Sequence, residues 1–523
     1  MSRLISHRGT LAACLTCWFA LAAAPAIAAQ TAADLVITNG HVYTGNPNTR
    51  WAEAVVVKGG KIAYVGSNAG AMAKRGRGAR ELDLGGRLML PGFIDPHDHV
   101  DGRASELYLV NLGSQLSPHT LDGYRKIILD FRASHPGLKE LRGNGFDPWI
   151  LPAIGQSRKR QPRELFDDIV SDVPAIIISW TGHQAWVNSK ALELAGITRD
   201  TPDPPGEGHI EHDPVTGEPN GILLEMGAFY LVLNKLPESD LTVEQYRTGI
   251  LSYQREVAPQ RGITGVLMPT DFRTETFFPA MQQLSDEKLL TVRYRVAQWE
   301  EDDRREAQIP ELVAVRARYP GGPYFKLNTI KVFAPWPQEP LNRTVAALDK
   351  LGFQVYFHNV GDTASYAAVL DAFEYALKQN GRRDSRHIIS HVRDAAAPLA
   401  ARFKALGVRA DADWHPAPKS FYDAGVPTTL SSDYPVRDPS PLVKIGEGVK
   451  RGIPLEALID SATIKGAEAQ FAENETGSIM VGKAADLIVL DRDLFKVTPE
   501  EIAGAKVLLT LFAGNEVFRD AAF

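Results

Sequence analysis

The sequence predicts an α/β fold, a barrel of eight parallel strands each followed by a helix, with a small β domain assembled from both ends of the chain. Three observations predict it. Both ends are β-rich and punctuated by glycine. The middle alternates apolar, β-branched runs with Ala- and Leu-rich stretches of helical period. The strand candidates number eight, the count that closes such a barrel.

Taken in order, residues 1–28 come first. Arg3 and Arg8 precede an apolar run, LAACLTCWFALAAAPAI, and small residues follow at Ala26, Ala28 and Ala29. That is the pattern of a secretory signal peptide cleaved near Ala28, too short and too broken by Pro25 to read as a membrane span. The string ending at Cys14 resembles a lipoprotein box only weakly, because the residues before it are polar. Residues 29–91 are the expected first part of the β domain. DLVITNGHVYTG and AEAVVVKGGKIAYVG carry hairpin turns at Asn39-Gly40 and Gly59-Gly60. Residues 476–523 are its expected second part, through GKAADLIVLDRD at 482–493 and the stretch 505–518.

Between them, 92–475 is expected to form the barrel. Its strands are placed near residue 93 and at 263–268, 293–298, 327–333, 354–358, 387–391, 408–413 and 427–433. Residues 120–260 fit this alternation poorly and contain TPDPPGEGH, so they are read as an insertion lying over the barrel mouth.

Composition removes several function classes. The 523 residues are 44% hydrophobic and 23% charged, as in an ordinary globular protein. The net charge is −6, with basic residues scattered, so no nucleic-acid partner is expected. Loss of Arg3 and Arg8 with residues 1–28 takes −6 to −8. It also removes Cys14 and Cys17, the two cysteines of the chain, which excludes a cysteine nucleophile, a thiolate metal site and a disulfide scaffold. The mature protein is expected to be periplasmic or secreted, with no stable membrane association and its oligomeric state open.

The chemistry lies at the strand ends. The first strand runs into His97-x-His99, and alternate residues of an extended chain face the same way, so both imidazoles can meet one cation. His358 ends the fifth candidate strand, His391 the sixth and Asp433 the eighth. In a parallel barrel these ends open on one rim, where enzymes of this architecture place their sites. Mixed imidazole and carboxylate donors suit zinc better than magnesium or calcium.

On PGFIDPHDH (91–99), TGHQAWVNSKALELAGI (181–197), DPVTGEPNGILLE (213–225), RGITGV (261–266), FHNVGDTA (357–364), IISHV (388–392), SSDYP (431–435) and GKAADLIVLD (482–491), the chain resembles the amidohydrolase superfamily, in its amidohydrolase-3 or N-substituted-formamide-deformylase-like group. The resemblance implies a (β/α)8 TIM barrel with a small β-sandwich from both termini. It implies that His97, His99 and Asp433 hold one metal and His358 and His391 a second, so one or two divalent ions per chain. It further implies a carboxylated bridging lysine at the end of the fourth strand, assigned to Lys331 with Lys326 as the alternative. His183 would contact the substrate carbonyl or leaving group, beside a structural reading in which it packs the insertion. The group continues its lysine as K-x-x-x-D-G, whereas here Lys331 is followed by Val332, Phe333, Ala334, Pro335 and Trp336. That departure bears on the substrate loop more than on the metals.

The expected function is metal-assisted hydrolysis of a non-peptide C–N bond in a small molecule, an N-acyl or N-formyl amide, with Asp433 as general acid and base. Deamination and ester or lactone hydrolysis on the same barrel are the rivals within catalysis. An inactive ligand-binding protein is the rival outside it. His415 is read as a loop residue, His135, His209 and His212 receive no role, and Trp149, Trp180, Trp336 and Trp414 are candidates for an apolar pocket.

Overall fold

The computed structural model describes residues 35–113, 120–151, 159–205, 208–236, 241–269, 275–301, 304–333 and 337–523. The segment 1–28 with both cysteines, and the run Ala334-Pro335-Trp336 after Lys331, lie outside the described residues.

The eight barrel strands are β1 (Phe93–Asp95), β2 (Ile263–Pro269), β3 (Arg293–Trp299), β4 (Phe325–Phe333), β5 (Gln354–His358), β6 (Ile388–Ile389), β7 (Arg409–Ala412) and β8 (Thr428–Leu430). They pair in sequence order, all parallel. A sheet covered on both faces calls for apolar runs rather than alternation. ITGVLMP of β2 and QVYFH of β5 are accordingly buried throughout. The ring closes between β8 and β1 through backbone bonds just past the strand ends. Asp433 N donates to His97 O at 2.7 Å and His99 N to Tyr434 O at 2.9 Å. The seam that closes the barrel therefore runs through the residues assigned to the metal.

The helix Thr363–Asn380 follows β5 directly. The Asp362 carboxylate accepts from Ser365 N at 2.9 Å to start it, and Gly381, at φ +78°, releases the chain at its end. Tyr366, Val369, Leu370 and Phe373 bury its inner face against Val355 and Phe357 of β5. Each such helix fixes the strand before it, and all strand C-termini meet at one rim.

The two chain ends share one six-stranded sheet that contains His41–Tyr43, Trp51–Ala52, Leu88–Pro91, Leu487–Leu490, Val507–Phe512 and Asn515–Arg519. Four N-terminal strands form a second sheet. Ile37, Val55, Val57, Leu487, Val489 and Leu509 fill the space between the two. Gly59 and Gly60, at φ +57° and +76°, make the tight turn between Ala54–Lys58 and Lys61–Gly66.

A buried ion pair ties this sandwich to the barrel. Arg293, at the start of β3, donates through Nε to Asp486 Oδ2 at 2.7 Å, and Asp486 also accepts from Thr476 Oγ1 and Ala513 N. Asp486→Ala would strand the guanidinium in a buried site, so thermal unfolding of the variant is expected to fall by a destabilisation of about 3–5 kcal/mol. A melting temperature equal to that of the parent would contradict this.

The segment between β1 and β2 holds a six-stranded mixed sheet whose first strand is Val110–Asn111, already upstream of residue 120. At the other end, the helix Val243–Ser252 returns to the barrel. Its Gly249 lies so close to Ala104 that any β-carbon there would clash. The inserted unit is thus shifted towards the N-terminus relative to the expected 120–260. Its first strand, two residues long, is too short to show a period that would mark where the unit begins. No helix among the described residues is long and apolar enough to cross a membrane.

Candidate metal centre

β1 ends at Asp95, whose Oδ1 accepts from His97 N at 3.0 Å and from Ser432 N at 3.1 Å. One carboxylate oxygen thereby pins the chain after β1 to the chain after β8. The result is a triangle of donor atoms. His97 Nε2 and His99 Nε2 are 3.2 Å apart, and Asp433 Oδ1 lies 3.3 Å from the first and 3.2 Å from the second. Donors about 2.0 Å from a tetrahedral ion would be separated by about 3.3 Å, so the triangle has the edge length of one face of a zinc coordination shell. His97, His391 and Asp433 also offer donor atoms within 4.8 Å of one another.

On the far side of His97, His391 Nε2 is 2.9 Å from His358 Nδ1. The rings of His97 and His391 are 4.9 Å apart between centroids, so the five assigned donors form one continuous group. His391 and Asp433 both adopt φ of +57°, a left-handed conformation that costs a non-glycine residue of order 1 kcal/mol or more. In each case the turn aims the side chain into the barrel mouth.

The electrostatics give the donors the forms a cation needs. Burial lowers the His97 imidazole well below its ordinary value, against the attraction of Asp433. Burial likewise lowers His358, helped by His391 and Lys331. Both rings are neutral near pH 7. Burial would raise the Asp433 carboxyl, but His97, His99 and His391 outweigh it and hold it well below the carboxylate range. Neutral imidazoles beside an ionised carboxylate are the protonation states that ligation requires.

Lys331 lies fully buried near the end of β4, its Nζ 5.4 Å from the centre of the Tyr356 ring, and its charge acts on both His97 and His358. Lys326, the alternative, is exposed near the start of the same strand. His183 stands just before the strand Gln184–Val187 in the interior of the inserted sheet, with its ring 5.3 Å from that of His358. His415 points away, exposed and paired with Glu447 at 2.7 Å. His135 stacks on Phe131, and His209 pairs with Asp203. Trp180 lines the cavity with Trp149 against it at 5.5 Å, Trp414 lies 6.4 Å from Trp180, and Trp336 is outside the described residues.

Three acids were not anticipated. Asp413 Oδ2 lies 3.1 Å from His391 Nδ1, which leaves Nε2 turned towards His358. Asp411, two residues earlier and on the same face of the strand, accepts from Tyr356, Thr429 and Ser431 and sits 3.8 Å from His97 Nδ1. Burial pushes its carboxyl up to about 6 against those hydrogen bonds. The repeat Ala-Asp-Ala-Asp at 410–413 marks both, since alternation puts the two carboxylates on one side. Glu225 is the third. Gln184 and Leu224 face each other in antiparallel strands, and the next pair, His183 and Glu225, is joined twice. Glu225 N donates to His183 O at 3.1 Å, and its Oε2 is 3.0 Å from His183 Nδ1.

The five donors, Lys331, His183 and Glu225 line a cavity of about 1100 Å³ between the barrel rim and the inserted sheet. Its floor carries the imidazoles and Asp433, and Trp180, Tyr230, Tyr246 and Phe333 supply aromatic walls. Such an arrangement can bind a small molecule and present a carbonyl group to a cation.

Comparison with known proteins comes to the same place. A model described as the amidohydrolase family matches residues 80–518. The chain is 28% identical to the N-substituted formamide deformylase of Arthrobacter pascens, over 92% of this chain and 97% of that one. It is 28% identical to the protein Long After Far-Red 3 of Arabidopsis thaliana, over 93% and 92% respectively. Among solved structures, an uncharacterized metal-dependent hydrolase from Pyrococcus furiosus superposes with a TM-score of 0.64 at 21% identity, over 88% of this chain and 99% of that one, a likeness of fold.

Proposed function

The chain belongs to the amidohydrolase family, and from that premise we propose that it is a metal-dependent hydrolase of a non-peptide C–N bond in an N-acyl or N-formyl amide, exported after loss of residues 1–28. The observation that carries the reading is the triangle of His97, His99 and Asp433 donor atoms, with edges of 3.2–3.3 Å. The name of the Arthrobacter pascens relative, an N-substituted formamide deformylase, supports the choice of bond.

His97, His99 and Asp433 would hold one ion and His358 and His391 a second, with zinc favoured by the imidazole-rich set. Lys331, if carboxylated, would add an anionic donor to the group. When bound there, a divalent cation polarises a carbonyl oxygen and lowers the pKa of water towards neutrality. Asp433, ionised at the floor of the cavity, takes the proton of the attacking water and returns it to the leaving nitrogen. His183 closes over the substrate from the inserted sheet. Its Nδ1 is turned to Glu225, so Nε2 is the atom offered to the substrate.

The direct test is a hydrolysis screen of the zinc-loaded mature protein on formamides, acylated amino acids, ureas and lactones. Amine release from amides, lost on chelation and restored by zinc, is the expected result. Turnover of lactones alone, or amide turnover indifferent to chelation, would contradict the reading. His183→Ala is expected to lower kcat about 100-fold and Glu225→Gln about 10-fold, both with unchanged metal content. Metal loss in either variant would show that the pair supports the ions rather than the substrate.

A further inference from the structure

Three arginines line the cavity, and two of them are neutralised. Arg103 pairs with Glu106 and Glu256, and Arg142 with Glu140. Arg437 is different. Its guanidinium lies 4.0 Å over the Trp414 ring, and its Nε is buried with no hydrogen-bond partner among the described residues. Among the described residues Arg437 forms no ion pair, and nearby acids of the chain are held by other partners. Asp438 holds Arg261, Glu447 holds His415 and Arg451, and Asp413 faces His391.

A buried guanidinium nitrogen without an acceptor is costly, and stacking on an indole does not supply one. The stack does fix the plane of the fork, so little freedom remains to be lost when an anion docks. The position is also set. Val436 N donates to Asp433 O at 2.8 Å, so a single turn separates the proposed base from Arg437. Four residues of chain span at most about 14 Å, and Asp433 and Arg437 line the same cavity, so one small molecule bound there can meet both.

We propose that Arg437 is a specificity-determining residue that receives a carboxylate of the substrate. The substrate class is then an amide bearing a carboxylate near the scissile bond, as an acylated amino acid does. This rests on the amide-hydrolase reading for the reaction, but the anion site can be tested apart from turnover. The planar fork can donate two parallel hydrogen bonds to a carboxylate, and Trp180, against Trp414, offers an apolar wall for the rest of the molecule.

The experiment uses the zinc-loaded protein and a panel of N-acetyl amino acids of both hands. Each is matched with the N-acetyl amine that lacks only the carboxylate, as N-acetylphenethylamine matches N-acetylphenylalanine. Binding is read by calorimetry and turnover by amine release. The parent protein is expected to bind the acids at least 10-fold more tightly than their neutral partners. Arg437→Met and Arg437→Gln are expected to weaken the acids by about 10- to 100-fold and the neutral compounds by less than 3-fold. The neutral compounds and the melting temperature control for folding. No preference for any acid in the parent protein, or equal losses for acid and neutral compound in both variants, overturns the proposal. Preferential binding of acids, lost in the variants, without any turnover would uphold the carboxylate site and defeat the amide-hydrolase reading instead.

Discussion

Asp433→Asn is expected to lower kcat on an amide substrate by at least about 1000-fold while the protein folds and melts as before. Two losses combine in that one atom change. A carboxamide cannot take a proton from water at neutral pH, and removal of a general acid or base costs typically 100- to 10,000-fold. It also removes the anionic corner of the donor triangle, in which Asp433 Oδ1 stands 3.2–3.3 Å from two imidazole nitrogens. The backbone link from Asp433 N to His97 O does not involve the side chain, so the barrel seam persists. Activity within 10-fold of the parent would remove Asp433 from both roles.

His97→Asn is expected to have the second large effect, loss of at least one bound ion per chain together with loss of activity below detection. His97 stands at the centre of the group, 3.2 Å from His99, 3.3 Å from Asp433 and ring to ring with His391. Residues that merely orient a ligand cost 10- to 100-fold in metal affinity when changed, and a direct donor costs more. Elemental analysis of the dialysed variant beside its parent reads this directly. Full metal content with full activity would place the ion elsewhere.

The barrel was legible because its signal is physical and repeated. A parallel strand is covered on both faces and calls for an apolar run, and ITGVLMP at 263–269 and the Val-Tyr-Phe centre of 354–358 are such runs, buried throughout. The rim was less legible. The sixth and eighth strands, expected to reach His391 and Asp433, stop at Ile389 and Leu430. Both functional residues take left-handed backbone conformations that end the ladder and turn the side chain inward. Periodicity reports strands, and it cannot report the bend that follows one.

The residues that orient the donors were harder still. Asp413 belongs to His391 and Glu225 to His183 only through registers and turns that bring distant segments together. Arg437 could be found only from its stacking on Trp414 and its place on the cavity wall, which no local pattern reports. The start of the inserted sheet hid for another reason, because its first strand, Val110–Asn111, is too short to show a period. Their places at the candidate strand ends picked out His97, His99, His358, His391 and Asp433, the resemblance divided them between two ions, and their rings and donor atoms lie next to one another.

The measurement that bears most directly on the account is anomalous diffraction at the zinc edge from crystals of the zinc-loaded protein. A peak is expected about 2.0–2.2 Å from His97 Nε2, His99 Nε2 and Asp433 Oδ1, the distances zinc keeps from nitrogen and oxygen donors. Fully loaded protein with no peak among these side chains, or with its zinc bound elsewhere, would contradict it.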